Sequence, residues 1–225
     1  MRHGKGVALA VPVAPLERKD AGYYDAVVGA LADRRAVLDV ALAGLTARGA
    51  VLAEVAVRLV DTLRTGHKVL AVGNGGSAAE AQHFAAELVG RFKRERAPYA
   101  VLSLTTDTAL LTAVANDYGY TDVFARQVRA LGQPGDLLLA FSTSGESENL
   151  VRAATVARRH GMAVAAVTGG RPSRLERLAD VTVRVPVVDT AVAQELHMAV
   201  THILCDIVES ELAAWPAACD AERER

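Results

Sequence analysis

Cysteine is scarce in this chain: there are two, Cys205 and Cys219, both in or just after the last helical stretch. Thiols so few and so placed exclude a disulfide framework and fit a reducing compartment, so a cytoplasmic location is expected. Net charge is scarce too. The 25 Lys and Arg stand against 26 Asp and Glu, leaving −1, which gives no electrostatic footprint for nucleic acid or a membrane surface. No apolar run approaches the ~20 residues a membrane span requires. Fixed-period repeats and low-complexity segments are also missing. The apolar run Gly6–Pro15, following Met1–Lys5, loosely imitates a signal peptide, but Pro12 and Pro15 interrupt it and charged Glu17–Asp20 follow. Residues 1–20 are therefore expected to be a disordered tail, with a second tail at 216–225.

What is present is an ordinary globular composition, 51% hydrophobic and 23% charged, in a 225-residue chain. That length suits one domain, expected over 21–215, with a helical extension at its start. Tyr23 to Arg64 is helical in pattern. One apolar stripe runs through Val27, Leu31, Leu38 and Leu42 and a second through Leu52, Val55, Leu59 and Leu63. Gly44 and Gly49 are predicted to break this stretch into a pair of helices. These either pack as an appendage or form a dimerisation element.

After Gly66 strands and helices alternate. Strands are predicted at Lys68–Val72, Ala100–Leu104, Leu137–Phe141, Ala163–Val167 and Val181–Val185, most of them nearly continuous apolar runs. Helices are predicted at Ser77–Phe92, Thr108–Ala115, Asp122–Leu131, Ser147–His160, Ser173–Ala179 and Ala193–Ala213. This alternation implies an α/β fold, a doubly wound five-stranded parallel sheet flanked by helices, with right-handed crossovers. Ligands of such sheets sit beyond the C-terminal strand ends, so the loops there are the first candidates for a site.

The first loop, Gly73-Asn-Gly-Gly-Ser77, joins a strand to a helix N-terminus, where N–H groups and the helix dipole favour an anion. It lacks the Gly-Lys-Ser/Thr of a Walker A loop. Gly73, Gly75 and Ala78 fit a loose dinucleotide pattern, but the ribose-binding acid expected about 20 residues on is missing, since Asp107 comes too late. On the helix that follows, His83 and Glu87 share one face, a turn apart. Asn116-Asp-Tyr-Gly-Tyr120 contains ordinary turn residues between two helices. Ser142-Thr-Ser-Gly-Glu-Ser147 brings four hydroxyls to a helix N-terminus, more than one cap needs, and predicts a phosphate cradle without a cationic side chain. The last helix carries Gln194, Glu195, His197 and His202. Eight residues, ~12 Å of helix axis, separate Gln194 from His202. They reach one site only through an irregular helix or in different subunits. The basic run Arg91–Arg96 is expected to be a solvated helix end.

Taken in order, Gly-Asn-Gly-Gly-Ser, His83-x-x-x-Glu87, Asn116-Asp117, Ser142-Thr-Ser-Gly-x-Ser147 and Gln194-Glu-x-His resemble the sugar-isomerase (SIS) fold, and within it the phosphoheptose isomerases, over roughly Tyr23 to Leu212. The resemblance implies a homotetramer with active sites at subunit interfaces. It implies substrate contacts at Asn74, Gly75, Gly76, Glu87, Asn116, Asp117 and Gln194, and a phosphate cradle at Ser142, Thr143, Ser144 and Ser147. It implies an acid/base pair, Glu87 and His202, that isomerises sedoheptulose 7-phosphate through an ene-diol. Zinc would be held by His83, Glu87, Gln194 and His202. The SIS protein that associates with the bacterial replication initiator shares the glycine turn, Gln82-His83 and Arg129–Gly132 but lacks the glutamate and the last histidine. A non-catalytic module binding a sugar phosphate or a protein is thus the alternative, and Glu87 with His202 argues against it. One departure stands out: Ala191-Val-Ala193 replaces the family's more polar lead-in to the glutamine.

Overall fold

The structure, a computed structural model, describes residues 21–213, which fall into two units, 21–37 and 38–213. Cys219 and both predicted tails lie outside these residues, as does the 214–215 end of the expected domain. The first unit is the opening part of helix α1 (Ala21–Thr46), along which Tyr23, Tyr24, Val27, Val28 and Leu31 are exposed. The helix passes through Gly44, and the chain turns at Ala47–Arg48, between Gly44 and Gly49 as expected, before α2 (Gly49–Arg64).

The second unit alternates β1 (Val69–Val72), α3 (Gly76–Val89), β2 (Val101–Ser103), α4 (Thr108–Tyr118), α5 (Val123–Leu131), β3 (Leu137–Ser142), α6 (Glu148–Arg159), β4 (Ala163–Thr168), α7 (Arg174–Leu178), β5 (Val181–Arg184) and α8 (Thr190–Ala213). A single 3-10 turn, Tyr120–Asp122, joins α4 to α5. The five strands pair in parallel in the order β2-β1-β3-β4-β5. The strand order reverses between β1 and β3, so the glycine turn and the hydroxyl loop flank the switch point.

Alternation within the strands sorts the core into two layers. Val69, Ala71, Leu137, Leu139 and Phe141 face α2, α3 and α8 through Leu59, Phe84, Leu88, Val200 and Leu204. Leu70, Val72, Leu138 and Ala140 face α5 and α6 through Phe124, Val128, Leu150 and Ala154. This two-sided burial explains why the strands read as continuous apolar runs. Leu59 and Val55 of the second predicted stripe are fully buried, so α2 is core rather than appendage. The apolar lead-in is core as well: Val192 and Ala193 pack with Ala41, Val185 and Leu196, while Asp189 accepts from Val192 N–H (2.9 Å) at the start of α8. Among the described residues no single helix is long and apolar enough to cross a membrane.

Polar groups fix the rear of the sheet. Asp136, 1% exposed, accepts from Lys68 N–H (3.0 Å), Lys68 Nζ (2.6 Å) and Gln133 N–H (2.8 Å), tying the start of β1 to that of β3. Burial raises its pKa, but the Lys68 ammonium and the two N–H donors outweigh that and hold it below the usual carboxylate range. A folded-state pKa below the unfolded one gives stability that is present above about pH 4 and lost as the pH falls through the folded value. Asp136→Ala, which leaves these donors unpaired, should cost about 3 kcal/mol. Urea unfolding at pH 7 checks the loss, and the difference from wild type should shrink toward pH 3. A cost under about 0.5 kcal/mol would show that Asp136 does not anchor the two strands.

Candidate active site

Helices α3 and α8 lie side by side and run in the same direction. Gly76 meets Gln194, Glu80 meets His197, and His83 meets His202, in order along both. The turn that launches α3 needs glycine at one position and leaves room for Gln194 at the next. Gly75 holds a positive φ of 55°, and Gly76 lies where a Cβ would come within 2.2 Å of Gln194 Nε2.

At the third meeting point three side chains converge. His83 Nε2 is 2.9 Å from His202 Nε2 and 3.2 Å from Glu87 Oε1. The donor atoms of His83, Glu87 and His202 all lie within 4.8 Å of one another. The i,i+4 pair on α3 is thus extended by a residue more than a hundred positions away. Two imidazoles and a carboxylate are a donor set suited to zinc, whose catalytic sites take three protein ligands and leave a fourth position open. Gln194 stands apart from this set. Helix α8 is unbroken from Thr190 to Ala213, so eight residues place Gln194 ~12 Å along the axis from His202. The irregular helix that would have joined them is not present. Gln194 instead lines a cavity of about 500 Å³ with Gly76, Glu80, His83 and Met198.

Between these levels lies a pair that sequence reasoning did not find. Glu80 and His197 are 3% and 0% exposed, with His197 Nδ1 3.2 Å from Glu80 Oε2. Glu80 Oε1 and His197 Nε2 have no hydrogen-bond partner among the described residues. His197 was visible in the sequence as a member of the last-helix motif, but nothing local announces Glu80 as its partner.

Across the switch point, Asn74 and Asn149 exchange two hydrogen bonds, at 2.9 and 2.8 Å, and Tyr120 O–H donates to Asn74 Oδ1 at 3.1 Å. The sequence pointed to Asn74, not to Asn149 or the Tyr120 hydroxyl. Asn116 and Asp117 fall in the last turn of α4, not in a loop, where they are exposed and bonded to each other (2.8 Å).

In the hydroxyl loop, two of the four hydroxyls serve the loop itself. Ser142 Oγ accepts from Gly145 N–H (3.0 Å) and Ser144 Oγ from Glu146 N–H (3.2 Å). Ser147 occupies the N-cap of α6 yet makes no side-chain cap bond. Thr143 and Ser144 line a cavity of about 300 Å³ with Glu146, Gly170, Arg171 and Thr190. A cationic side chain therefore borders the cradle, where the loop sequence predicts none.

The basic run after α3 departs from expectation. Arg91 is exposed, but the Arg96 side chain is 4% exposed and stands against buried Glu209 of α8. A carboxylate from a distant helix accounts for this, and no feature near the run reveals it. Phe92, beside it, stacks on His202 with ring centroids 5.6 Å apart. Cys205 is a buried free thiol, pushed up to about 12 by burial and by the nearby carboxylates of Glu87 and Glu209.

A parallel five-stranded sheet with glycine and hydroxyl loops flanking its switch point places the molecule among the doubly wound α/β proteins. The family model described as SIS domain matches residues 35–169. Phosphoheptose isomerase of Roseiflexus sp. is 48% identical over 177 residues, covering 79% of this chain and 90% of its own. That of Thiobacillus denitrificans is 54% identical over 157 residues, covering 68% and 80%. The solved phosphoheptose isomerase of Neisseria gonorrhoeae superposes with a TM-score of 0.76 at 39% identity, covering 84% of this chain and 99% of its own. The chain belongs to the phosphoheptose isomerases of the SIS family.

Gly76→Ala should push the Gln194 carboxamide out of place, because the clashing atoms end a flexible side chain, while alanine favours the helix. The expected result is a several-fold rise in KM with Tm unchanged within about 2 °C. An unaltered KM would show that Gln194 does not face the substrate.

Proposed function

We propose that the protein interconverts sedoheptulose 7-phosphate and D-glycero-D-manno-heptose 7-phosphate through an ene-diol, with Glu87 as base and His202 as acid. The observation that carries this reading is the convergence of Glu87, His83 and His202 from two helices. Glu87 removes a proton from C1 of the ketose. The ene-diol that results is protonated at C2, and His202 moves the hydroxyl proton between the two oxygens. Only hydrogens relocate, so the phosphate on C7 is a handle. The hydroxyl loop suits that handle: the uncapped N-terminus of α6, the Ser147 hydroxyl and the half-buried Thr143 offer donors to an anion. Asn74, Gly75, Gly76 and Gln194 are assigned to the sugar, as are Asn116 and Asp117.

His83, Glu87 and His202 suit zinc, Glu87 and His202 alternating between ligand and proton carrier, with Gln194 left on the substrate side of the cavity. When bound, the ion would polarise the carbonyl and stabilise negative charge on its oxygen. His83 is then a ligand in its own right, its Nε2 lying 2.9 Å from His202 Nε2 and 3.2 Å from Glu87 Oε1.

One SIS domain over 21–215, a cytoplasmic location and a homotetramer complete the reading. The relatives' extent supports the domain. The exposed stripe Tyr23, Val27 and Leu31 supports association, since large apolar groups in a row favour burial against another chain. Sedimentation velocity should give four times the 23.7 kDa chain mass, and Leu31→Glu should shift the protein to smaller species. A 23.7 kDa particle at micromolar concentration that keeps full turnover would rule the tetramer out.

Turnover of sedoheptulose 7-phosphate, followed by NMR, tests the chemistry. Glu87→Gln should lower kcat by a factor of at least about 100, the ordinary worth of a general base. Wild-type protein that does not turn over this substrate with zinc supplied would overturn the assignment.

A further inference from the structure

Glu209 lies on α8 seven residues after His202 and is 0% exposed. A carboxylate so far from water is retained only where donors replace its hydration. Here Oε1 accepts from Phe92 N–H (3.0 Å), and Oε2 accepts from the N–H groups of Lys93 (2.8 Å) and Arg94 (2.9 Å). The Arg94 guanidinium is 3.5 Å away, and Arg96 Nε stands 3.3 Å from Oε1. Three consecutive backbone donors gathered on one side chain fix the path of the segment that leaves α3.

That segment touches the backbone of Glu87 and the ring of His202. Arg96 Nη2 donates to the backbone carbonyl of Glu87 (2.9 Å) and Nη1 to that of Gly90 (2.9 Å), filling acceptors that the end of α3 leaves open. On the other side Phe92 lays its ring on the His202 imidazole, 5.6 Å between centroids and 21° from parallel, within the range of offset stacking. One buried carboxylate is thus a single residue removed from each of two groups on different helices.

We infer that Glu209, acting through Arg96 and Phe92, is a positioning residue that sets the approach of His202 to Glu87 and His83. The inference rests on the reading of those three residues as the reacting and metal-holding group. A carboxylate that served folding alone would anchor the segment equally well, but it would give no role to the flat ring on His202. The Phe92 ring therefore separates the two possibilities.

The test compares Glu209→Gln, Phe92→Leu and Phe92→Tyr with wild type in three measurements: zinc affinity by competition with a chromogenic chelator, kcat and KM for sedoheptulose 7-phosphate, and thermal melting. Residues that orient metal ligands from behind change affinity or activity by about 10- to 100-fold when replaced. Glu209→Gln and Phe92→Leu should each weaken zinc binding and lower kcat at least about tenfold, with KM within threefold. Phe92→Leu should melt near wild type, and Phe92→Tyr, which keeps the ring, should restore both values. Lower melting temperatures with zinc affinity and kcat unchanged would overturn the inference, as would equal behaviour of Phe92→Leu and Phe92→Tyr, while leaving the isomerase assignment intact. A wild-type chain that neither turns over the substrate nor binds zinc would overturn that assignment and, with it, this inference.

Discussion

The site depends on the alignment of two helices that are distant in sequence. Helix α3 supplies His83 and Glu87 and α8 supplies His202, and neither helix alone holds more than two of the three. Their relative placement comes from the apolar layer beneath, where Phe84 and Leu88 of α3 and Val200 and Leu204 of α8 share one face of the sheet. A slide of one residue along either helix would turn its side chains by about 100° and separate the imidazoles. Close packing of that layer therefore acts on the chemistry, because the interior does not deform continuously.

Above the packed layer the seam between the helices carries a series of polar contacts. Gln194 against Gly76, Glu80 with His197, His83 with His202 and finally Glu209 beneath the departing segment form successive contacts, each with a different function. The first borders the cavity, the second is buried, the third brings His83, Glu87 and His202 together and the last fastens the end. Burying this much polarity costs stability unless partners are supplied. Glu209 is fully supplied, whereas the Glu80–His197 pair is left, among the described residues, with an orphan atom on each side.

Strands and helices were legible in the sequence because their signals are local. All five strands fall within a residue or so of the expected bounds, and the helix starts follow the cap and turn residues. The break between the first helices falls at Ala47–Arg48, inside the expected Gly44–Gly49 interval, while α1 runs on through Gly44 because glycine lowers helix stability by only about 1 kcal/mol. Candidate residues were legible where they sit in a short motif, as Asn74, His83 and Glu87 do, whereas His202 stands five residues beyond the last motif and meets His83 only in the fold. Those missed are the partners from elsewhere: Asn149 for Asn74, Glu80 for His197, Glu209 for the basic run. Each is an ordinary residue in its own neighbourhood, and only the fold gives it a role. Gln194 shows the reverse case, in which spacing along a regular helix already separated it from His202.

The two amides that clasp each other across the switch point carry no titratable proton. Asn74 and Asn149 hold the glycine turn against the start of α6 with two neutral hydrogen bonds, and the third contact comes from a tyrosine hydroxyl. An aspartate in either place would have made the mouth of the site answer to acidity. As built, this clasp carries no group that changes charge over the range in which imidazoles do, so it adds no step of its own to the enzyme's pH profile.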